Sequence, residues 1–282
     1  MPGTLFLVAT PIGNLEDITA RAVRVLSEVA LIAAEDTRRT AHLLTRYAIT
    51  TPATSLHEHN ETQKAASLVA RLRAGESIAL VSDAGTPLIS DPGQHLIRLA
   101  IDAGIRVEPI PGPSAIIAAL AASGFATQPF VFLGFPPVKS KDRKEWLLGL
   151  AAATSTAVFF EAPHRIRGTL EEILTQIGDC SVVVCRELTK IHEELVRGPI
   201  SAVLKVASLE TGELTIVIDI GHKPHISTLK EVSDESMAIE IGQMTCQMKI
   251  SKRMAIQRLA KKHGRRPNDV YAAVERARKL VK

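Results

Sequence analysis

From residue 5 to residue 122 short apolar runs alternate with helical patterns, and this alternation restricts the chain to a layered α/β fold. The runs at residues 5–8, 31–33 and 78–81 are too short for helices, and they lack the polar alternation of a strand with one wet face. They read as strands of a mostly parallel sheet, buried on both sides. Helical patterns at residues 20–26, 62–72 and 93–103 separate or follow them, Val107 marks a further strand, and a small-residue helix comes at 114–122. Near Ala126-Thr127-Gln128-Pro129 the composition turns loop-like and a second series begins, with strand patterns at 130–133, 156–160, 181–185 and 214–220 and helices at 144–152 and 170–177. The expected architecture is two α/β domains, residues 1–126 and 127–222, the second of mixed strand direction. A polar linker over 223–248 and a small basic helical domain over 249–282 complete it.

Composition agrees with that division. A chain of 282 residues, 46% hydrophobic and 23% charged, buries a substantial core and is longer than one core usually supports. No apolar stretch reaches the roughly 18 residues of a membrane-spanning helix. The run at residues 5–9 is too brief for a signal-peptide core and follows no basic segment, so a cytoplasmic chain without membrane attachment is expected. Cys180, Cys185 and Cys246 give neither an even disulfide set nor the paired spacing of a zinc site, which suits buried thiols in a reducing compartment.

Charge is distributed unevenly. The net charge of +4 conceals a tail, residues 249–282, with 12 Lys and Arg against Asp269 and Glu275, which leaves 22 bases and 28 acids for the rest. Such a tail attracts a polyanion in a salt-dependent way, although a solvated helix surface is the plainer alternative. Within it Ser251 is placed to cap a helix carrying Ala255, Ile256, Leu259 and Ala260 on one face, and Gly264 to end it. Asn268 is placed to cap a second helix carrying Val270, Ala273, Val274, Ala277 and Val281 near one stripe. The Arg265-Arg266-Pro267 turn between them fits a helix-turn-helix and a generic helical hairpin equally. Aromatic residues are only 4% of the chain, so any RNA specificity is expected from shape and backbone contacts rather than from a stacking sheet.

Several strand ends carry candidate chemistry. Ser82-Asp83-Ala84-Gly85-Thr86-Pro87, closing at Asp91-Pro92-Gly93, combines small residues, acids and prolines after a buried strand. A ligand approaches such a backbone closely while the prolines restrict its motion. Pro109-Ile110-Pro111-Gly112-Pro113-Ser114-Ala115 repeats the device, and the two loops together suggest a slot for a flat ligand. Thr10-Pro11-Ile12-Gly13-Asn14-Leu15 and Glu35-Asp36-Thr37-Arg38-Arg39 also follow strands, but a plain turn and a helix cap explain them as well as a substrate contact does. His57-Glu58-His59-Asn60 lacks a third ligand at metal-binding spacing, so no metal is expected. The strings at Phe135 to Lys144, Glu161 to Arg165 and Arg186 to Lys190 read as solvated strand ends or as the walls of a cleft.

Taken in order, these strings resemble the small-subunit ribosomal RNA ribose methyltransferases of the tetrapyrrole methylase superfamily. The matching residues run from Thr10 to Lys190 and span most of residues 4–220. The resemblance implies two α/β domains of tetrapyrrole-methylase type with S-adenosylmethionine in the cleft between them, a homodimer, and methylation of a cytidine 2′-hydroxyl in the decoding region of 16S rRNA, free or in the small ribosomal subunit. By position Ile12, Asp83, Thr86, Ser114 and Ala115 match the superfamily's cofactor contacts, and Ala84, Gly85, Pro111 and Gly112 share their loops and join the cofactor-binding set. One departure stands out: the family's frequent Lys-Gly-Glu before the last strand is Thr211-Gly212-Glu213 here. For the base that removes the hydroxyl proton, the Asp36 and Arg38 region is the first candidate, with His57, Asn60 and Glu187 as rivals. A methyltransferase acting on a small tetrapyrrole, and a non-catalytic RNA-binding assembly factor, are the alternatives.

Overall fold

The apolar runs become the core of a five-stranded parallel sheet. Its strands β1 (Thr4–Val8), β2 (Leu31–Ala34), β3 (Ala53–Ser55), β4 (Ile78–Val81) and β5 (Arg106–Ile110) lie in the order β3-β2-β4-β1-β5. These come from a computed structural model that describes residues 1–153, 155–220, 240–241, 244–245, 251–262 and 270–274. Successive side chains of a strand point to opposite faces, and here both faces are covered. Ile32, Ala34, Ala79 and Val81 pack under α1 (Ala20–Glu28) and α2 (Thr37–Arg46), whereas Leu31, Ala33, Ile78 and Leu80 pack under α3 (Glu61–Arg73) and α4 (Gln94–Asp102). That double burial is why β2 and β4 are apolar at every position. Pro109 is tolerated because β5 is an edge strand, where a missing N–H breaks no central ladder.

The second sheet is mixed, as expected from the sequence. Strands β6 (Phe130–Phe132), β7 (Thr156–Glu161), β8 (Ser181–Arg186), β9 (Glu194–Pro199) and β10 (Leu214–Asp219) lie in the order β6-β7-β10-β8-β9, with only the β6 and β7 pair parallel. Helix α5 (Ala115–Ser123) leaves the first sheet and lies on the second, where Ile116, Ala119 and Leu120 meet Val158, Val183, Cys185 and Val217. The alternate residues Ala157, Phe159, Val182, Val184, Ile216 and Ile218 face α6 (Ser140–Ala152) and α7 (Ile166–Gln176) on the other side. A short helix, α8 (Ile200–Val203), closes that core.

Sequence patterning did not anticipate β3 or β9, and of α2 it offered only the cap within Glu35 to Arg39. These two strands lie at sheet edges, and Ala53-Thr54-Ser55 and Glu194–Pro199 have no fully buried side chain and so print no pattern. Residues 1–222 form one compact unit holding both sheets, and 223–282 form a second. In the second unit α9 (Lys252–Lys262) begins where Ser251 Oγ accepts from the Met254 N–H at 3.3 Å. Ala255, Ile256, Leu259 and Ala260 pack there with Ile241, Val270, Ala273 and Val274. Residues 240–241, 244–245 and 270–274 are helical, while the rest of the expected linker, Cys246, Gly264, the Arg265-Arg266-Pro267 turn, Asn268, Ala277 and Val281 lie outside the described residues. Among the described residues no helix is long and apolar enough to cross a membrane.

Candidate active site

Three loops converge at the carboxyl ends of β4, β1 and β5, which are neighbours in the first sheet. Thr10 and Gly85 exchange backbone hydrogen bonds at 2.9 Å in both directions, and the Thr10 hydroxyl donates to the Ser82 carbonyl at 3.2 Å. The Thr86 hydroxyl reaches the Pro113 carbonyl at 3.4 Å. Gly85 has φ of +78°, a conformation that side chains resist, so glycine is what lets the loop after β4 lie flat on the loop after β1. Between these loops and the second sheet is a cavity of about 400 Å³, a size suited to a small-molecule ligand.

Of the nine expected cofactor-binding residues, Ile12, Asp83, Ala84, Gly85, Thr86, Ser114 and Ala115 line this cavity. Pro111 and Gly112 do not line it. Gly112 stands behind it against Ala9, where an added Cβ would meet the Ala9 Cβ at 3.0 Å. The second sheet supplies the opposite wall through Phe160, Glu161, Leu188 and residues 212–215.

The cavity is acidic. Glu35, Asp83 and Asp91 face it with a single guanidinium, Arg39, whose Nη1 is 3.4 Å from Asp83 Oδ2. Burial, with the nearby charges of Glu35 and Asp83, pushes the Asp91 carboxyl up to about 6. Burial likewise raises Glu35, beside Asp83. Glu161 is fully enclosed and ordered by its neighbours: Thr169 Oγ1 donates to it at 2.5 Å, the Ala162 N–H at 2.8 Å, and Arg165 pairs with it at 3.4 Å. Among the described residues, four of the five non-glycine residues with positive φ, Leu88, Ser90, Glu187 and Thr189, sit in the two segments bordering the cavity. Strain of this kind persists where the surroundings over-determine the backbone, and it gathers at functional sites.

The five candidates for proton removal are not among the lining residues. Asp36 caps α2: its carboxylate accepts from the Arg38 N–H at 2.8 Å and from the Arg38 guanidinium at 2.8 and 3.1 Å, which holds it down at about 2. Its own N–H donates to Asp83 Oδ1 at 3.0 Å, so Asp36 orients a cavity carboxylate through the backbone. Asp36→Asn is therefore expected to keep both the cap and the melting temperature, whereas Asp36→Ala lowers the melting temperature and loosens Asp83. Thermal melts of the two variants, with cofactor titration, read this. His57 and Asn60 clasp one another beyond β3, with the His57 N–H on Asn60 Oδ1 at 2.9 Å. Glu187 is lifted by burial but held below the usual carboxylate range by the Glu213 N–H and the Lys190 ammonium. It fills the space over Gly212, where a Cβ would come within 2.6 Å of Glu187 Cγ and φ is +84°.

What the sequence passed over are the immediate neighbours of residues it chose. Glu35 and Arg39, not Asp36 and Arg38, face the cavity. The available signal was that the buried strand β2 ends at Ala34, so Glu35 is the first residue past the sheet's edge.

The sequence pattern of the Tetrapyrrole (Corrin/Porphyrin) Methylases matches residues 4–204. A protein of Escherichia coli O157:H7 named Ribosomal RNA small subunit methyltransferase I is 43% identical over 274 residues, which cover 95% of this chain and 93% of that protein. The chain belongs to the ribosomal RNA small subunit methyltransferase I family, among the tetrapyrrole methylases. A second member of this methyltransferase family, from Synechocystis sp., is 51% identical over 219 residues, 77% of this chain and 78% of its own. The uroporphyrin-III C-methyltransferase of Thermus thermophilus, crystallised as a complex with S-adenyl homocysteine, shares the fold of this family member. Its TM-score is 0.55 at 18% identity, over 76% of this chain and 97% of its own.

Proposed function

We propose that the chain transfers a methyl group from S-adenosylmethionine to the ribose 2′-hydroxyl of a cytidine in the decoding region of 16S rRNA, acting in the cytoplasm as a homodimer. The observation that carries this reading is the acidic, loop-walled cavity in a chain whose relatives, matched over nearly their whole length, are named as small-subunit rRNA methyltransferases. Bound there, S-adenosylmethionine supplies an electrophilic methyl on a cationic sulfonium centre. The carboxylates of Glu35, Asp83 and Asp91 favour that charge in a partly desolvated site, and Ile12, Ile116 and Leu188 give the apolar surface that an adenosine needs.

The chain's main contribution is positioning. Holding donor and acceptor in line supplies roughly 7 to 11 kcal/mol of a barrier, and the cross-tied loops at Thr10, Gly85 and Thr86 are stiff enough to do so. Proton removal from the hydroxyl falls to a carboxylate of the cavity, Asp91 or Glu35, rather than to Asp36, whose pKa of about 2 makes it a weak base. The basic tail adds RNA affinity. Deleting residues 249–282 is expected to weaken binding to the small subunit and to flatten its dependence on salt. Unchanged affinity and slope would remove the tail from the interface.

Incubation with labelled cofactor and separate acceptors, namely free 16S rRNA, assembled small subunits and a corrinoid, tests the reading. An alkali-resistant linkage at one cytidine is expected. Label on the corrinoid alone would reassign the enzyme to small tetrapyrroles, and cofactor binding without transfer to any acceptor would favour an assembly factor. Light scattering reads the dimer.

A further inference from the structure

The rim of the cavity carries an aromatic ring that the fold leaves exposed and yet holds still. Phe135 lines the cavity but is 52% exposed. Its ring lies 5.3 Å from Phe160, which in turn stands edge-on to Phe132 at 5.1 Å. The backbone around it is pinned from several sides. The Phe160 N–H donates to the Gly134 carbonyl at 2.9 Å, Arg165 donates to the Pro136 carbonyl at 2.5 Å, and Arg143 to the Pro137 carbonyl at 3.3 Å. Both arginines are fixed from below, Arg165 by the buried Glu161 and Arg143 by Thr169 and Glu172. A part-buried polar network anchored on Glu161 thus presents one phenyl face to solvent at the mouth of the cavity, which leaves less to order on binding.

The charges beside it are sorted in a way that selects a ligand. Lys139, Lys141 and Lys144 follow on the same loop and helix, all exposed and engaged in none of the ion pairs among the described residues. Asp142 and Glu145 lie among them, so the stretch with Arg143 remains positive. Inside the mouth the lining turns acidic. A polyanion is repelled from the floor and attracted to the rim. Only a neutral part of it, a sugar and base turned out of the strand, fits the cavity without penalty.

We infer that Phe135 is the stacking platform for the unpaired base at the methylated nucleotide, and that Lys139, Lys141 and Lys144 hold the phosphates flanking it. This rests on the proposed action on RNA. The low aromatic content argued against a sheet that stacks several bases, but one platform needs one ring.

The test uses the full chain with small subunits from a bacterial strain lacking this methylation, measuring KM and kcat for the subunit, and cofactor affinity by calorimetry. Phe135→Ala and Phe135→Leu are expected to raise KM roughly 10- to 100-fold, and Phe135→Trp to restore it, since leucine preserves apolar volume but has no π face. Replacing Lys139, Lys141 and Lys144 with Ala is expected to lower the slope of log affinity against log salt by about 2. Full activity of Phe135→Leu, an effect on cofactor affinity in place of KM, or an unchanged salt slope would each overturn the inference while leaving the methyltransferase standing. A wild-type chain that neither binds nor methylates the subunit would sink both.

Discussion

Affinity for S-adenosylmethionine is expected to rise about tenfold between pH 5 and pH 7 and then level off. Asp91 titrates at about 6 because burial and the charges of Glu35 and Asp83 disfavour its anion. The groups facing it are otherwise Ser82, which stabilises the anion, and Arg39 on Asp83. A sulfonium prefers the ionised carboxylate, which is about a tenth of the population one pH unit below the pKa, and the tenfold gain follows from that fraction. Asp91→Asn imitates the protonated state, so its affinity should be flat with pH and remain at the weak end. Calorimetric titration at pH 5, 6 and 7 reads both proteins, and a slope that survives in Asp91→Asn would assign the proton elsewhere. Stability without ligand should run the other way. Between the ordinary value of 3.8 and about 6 the folded chain keeps a proton that the unfolded chain has released, so stability falls as pH rises through that window. Asp91 is partly exposed, and after allowance for solvent the loss is about 1 kcal/mol. Asp91→Asn should abolish it.

Much of this site was legible before any coordinates, and the residues that were not share one reason. Proline and glycine write their backbone effects locally, so the loops at 82–93 and 109–115 stand out as candidates in the sequence, and seven of the nine residues drawn from them and from Ile12 line the cavity. Strand order is not written locally. Glu35 follows β2 and Asp83 follows β4, and they meet because β4 pairs with β2 across more than forty residues of chain. Nothing in either string says so, and choosing Asp36 over Glu35 was a choice between neighbours whose side chains diverge by the helix cap that Asp36 makes. The second sheet's wall was harder still. The Arg186 to Lys190 string and the Gly212-Glu213 pair stand out as sequence, but that Leu188 and residues 212–215 form one wall follows only from the antiparallel pairing of β8 with β10. The departure Thr211-Gly212-Glu213 is informative in the same way. The glycine is retained where φ is +84° and Glu187 leaves no room for a Cβ, whereas position 211 carries no such constraint.

The contact at Gly13 is where the two sheets set each other's spacing, and substitution there should cost more function than stability. A Cβ at Gly13 would lie 2.8 Å from the Leu188 carbonyl oxygen, 2.8 Å from Thr189 Oγ1 and 2.6 Å from Lys190 Cγ. A lysine methylene can swing aside, but a backbone carbonyl cannot, and Thr189 is further tied by the Asn14 N–H at 3.0 Å. The β8–β9 turn must therefore retreat. With it go Leu188 in the cavity wall and, through Lys190 and Glu187, the Gly212-Glu213 turn opposite. Overpacking of this kind costs about 1 to 3 kcal/mol, which a unit with filled cores on both faces of each sheet survives. A displacement of about 1 Å in a positioning wall, by contrast, removes about 100-fold in rate. Gly13→Ala is thus expected to remain folded, with cofactor affinity and kcat/KM for methyl transfer falling together by 10- to 100-fold, about 1.4 to 2.7 kcal/mol of transition-state stabilisation. Gly149→Ala, in α6 with no atom within 4 Å of the added methyl, should gain about 0.5 to 1 kcal/mol and leave activity unchanged. Adding Lys190→Ala to Gly13→Ala discriminates the cause: it frees the methylene but not the carbonyl, so activity should stay low. Recovery in that double variant would show that the side chain, and not the backbone of the turn, sets the width of the cavity.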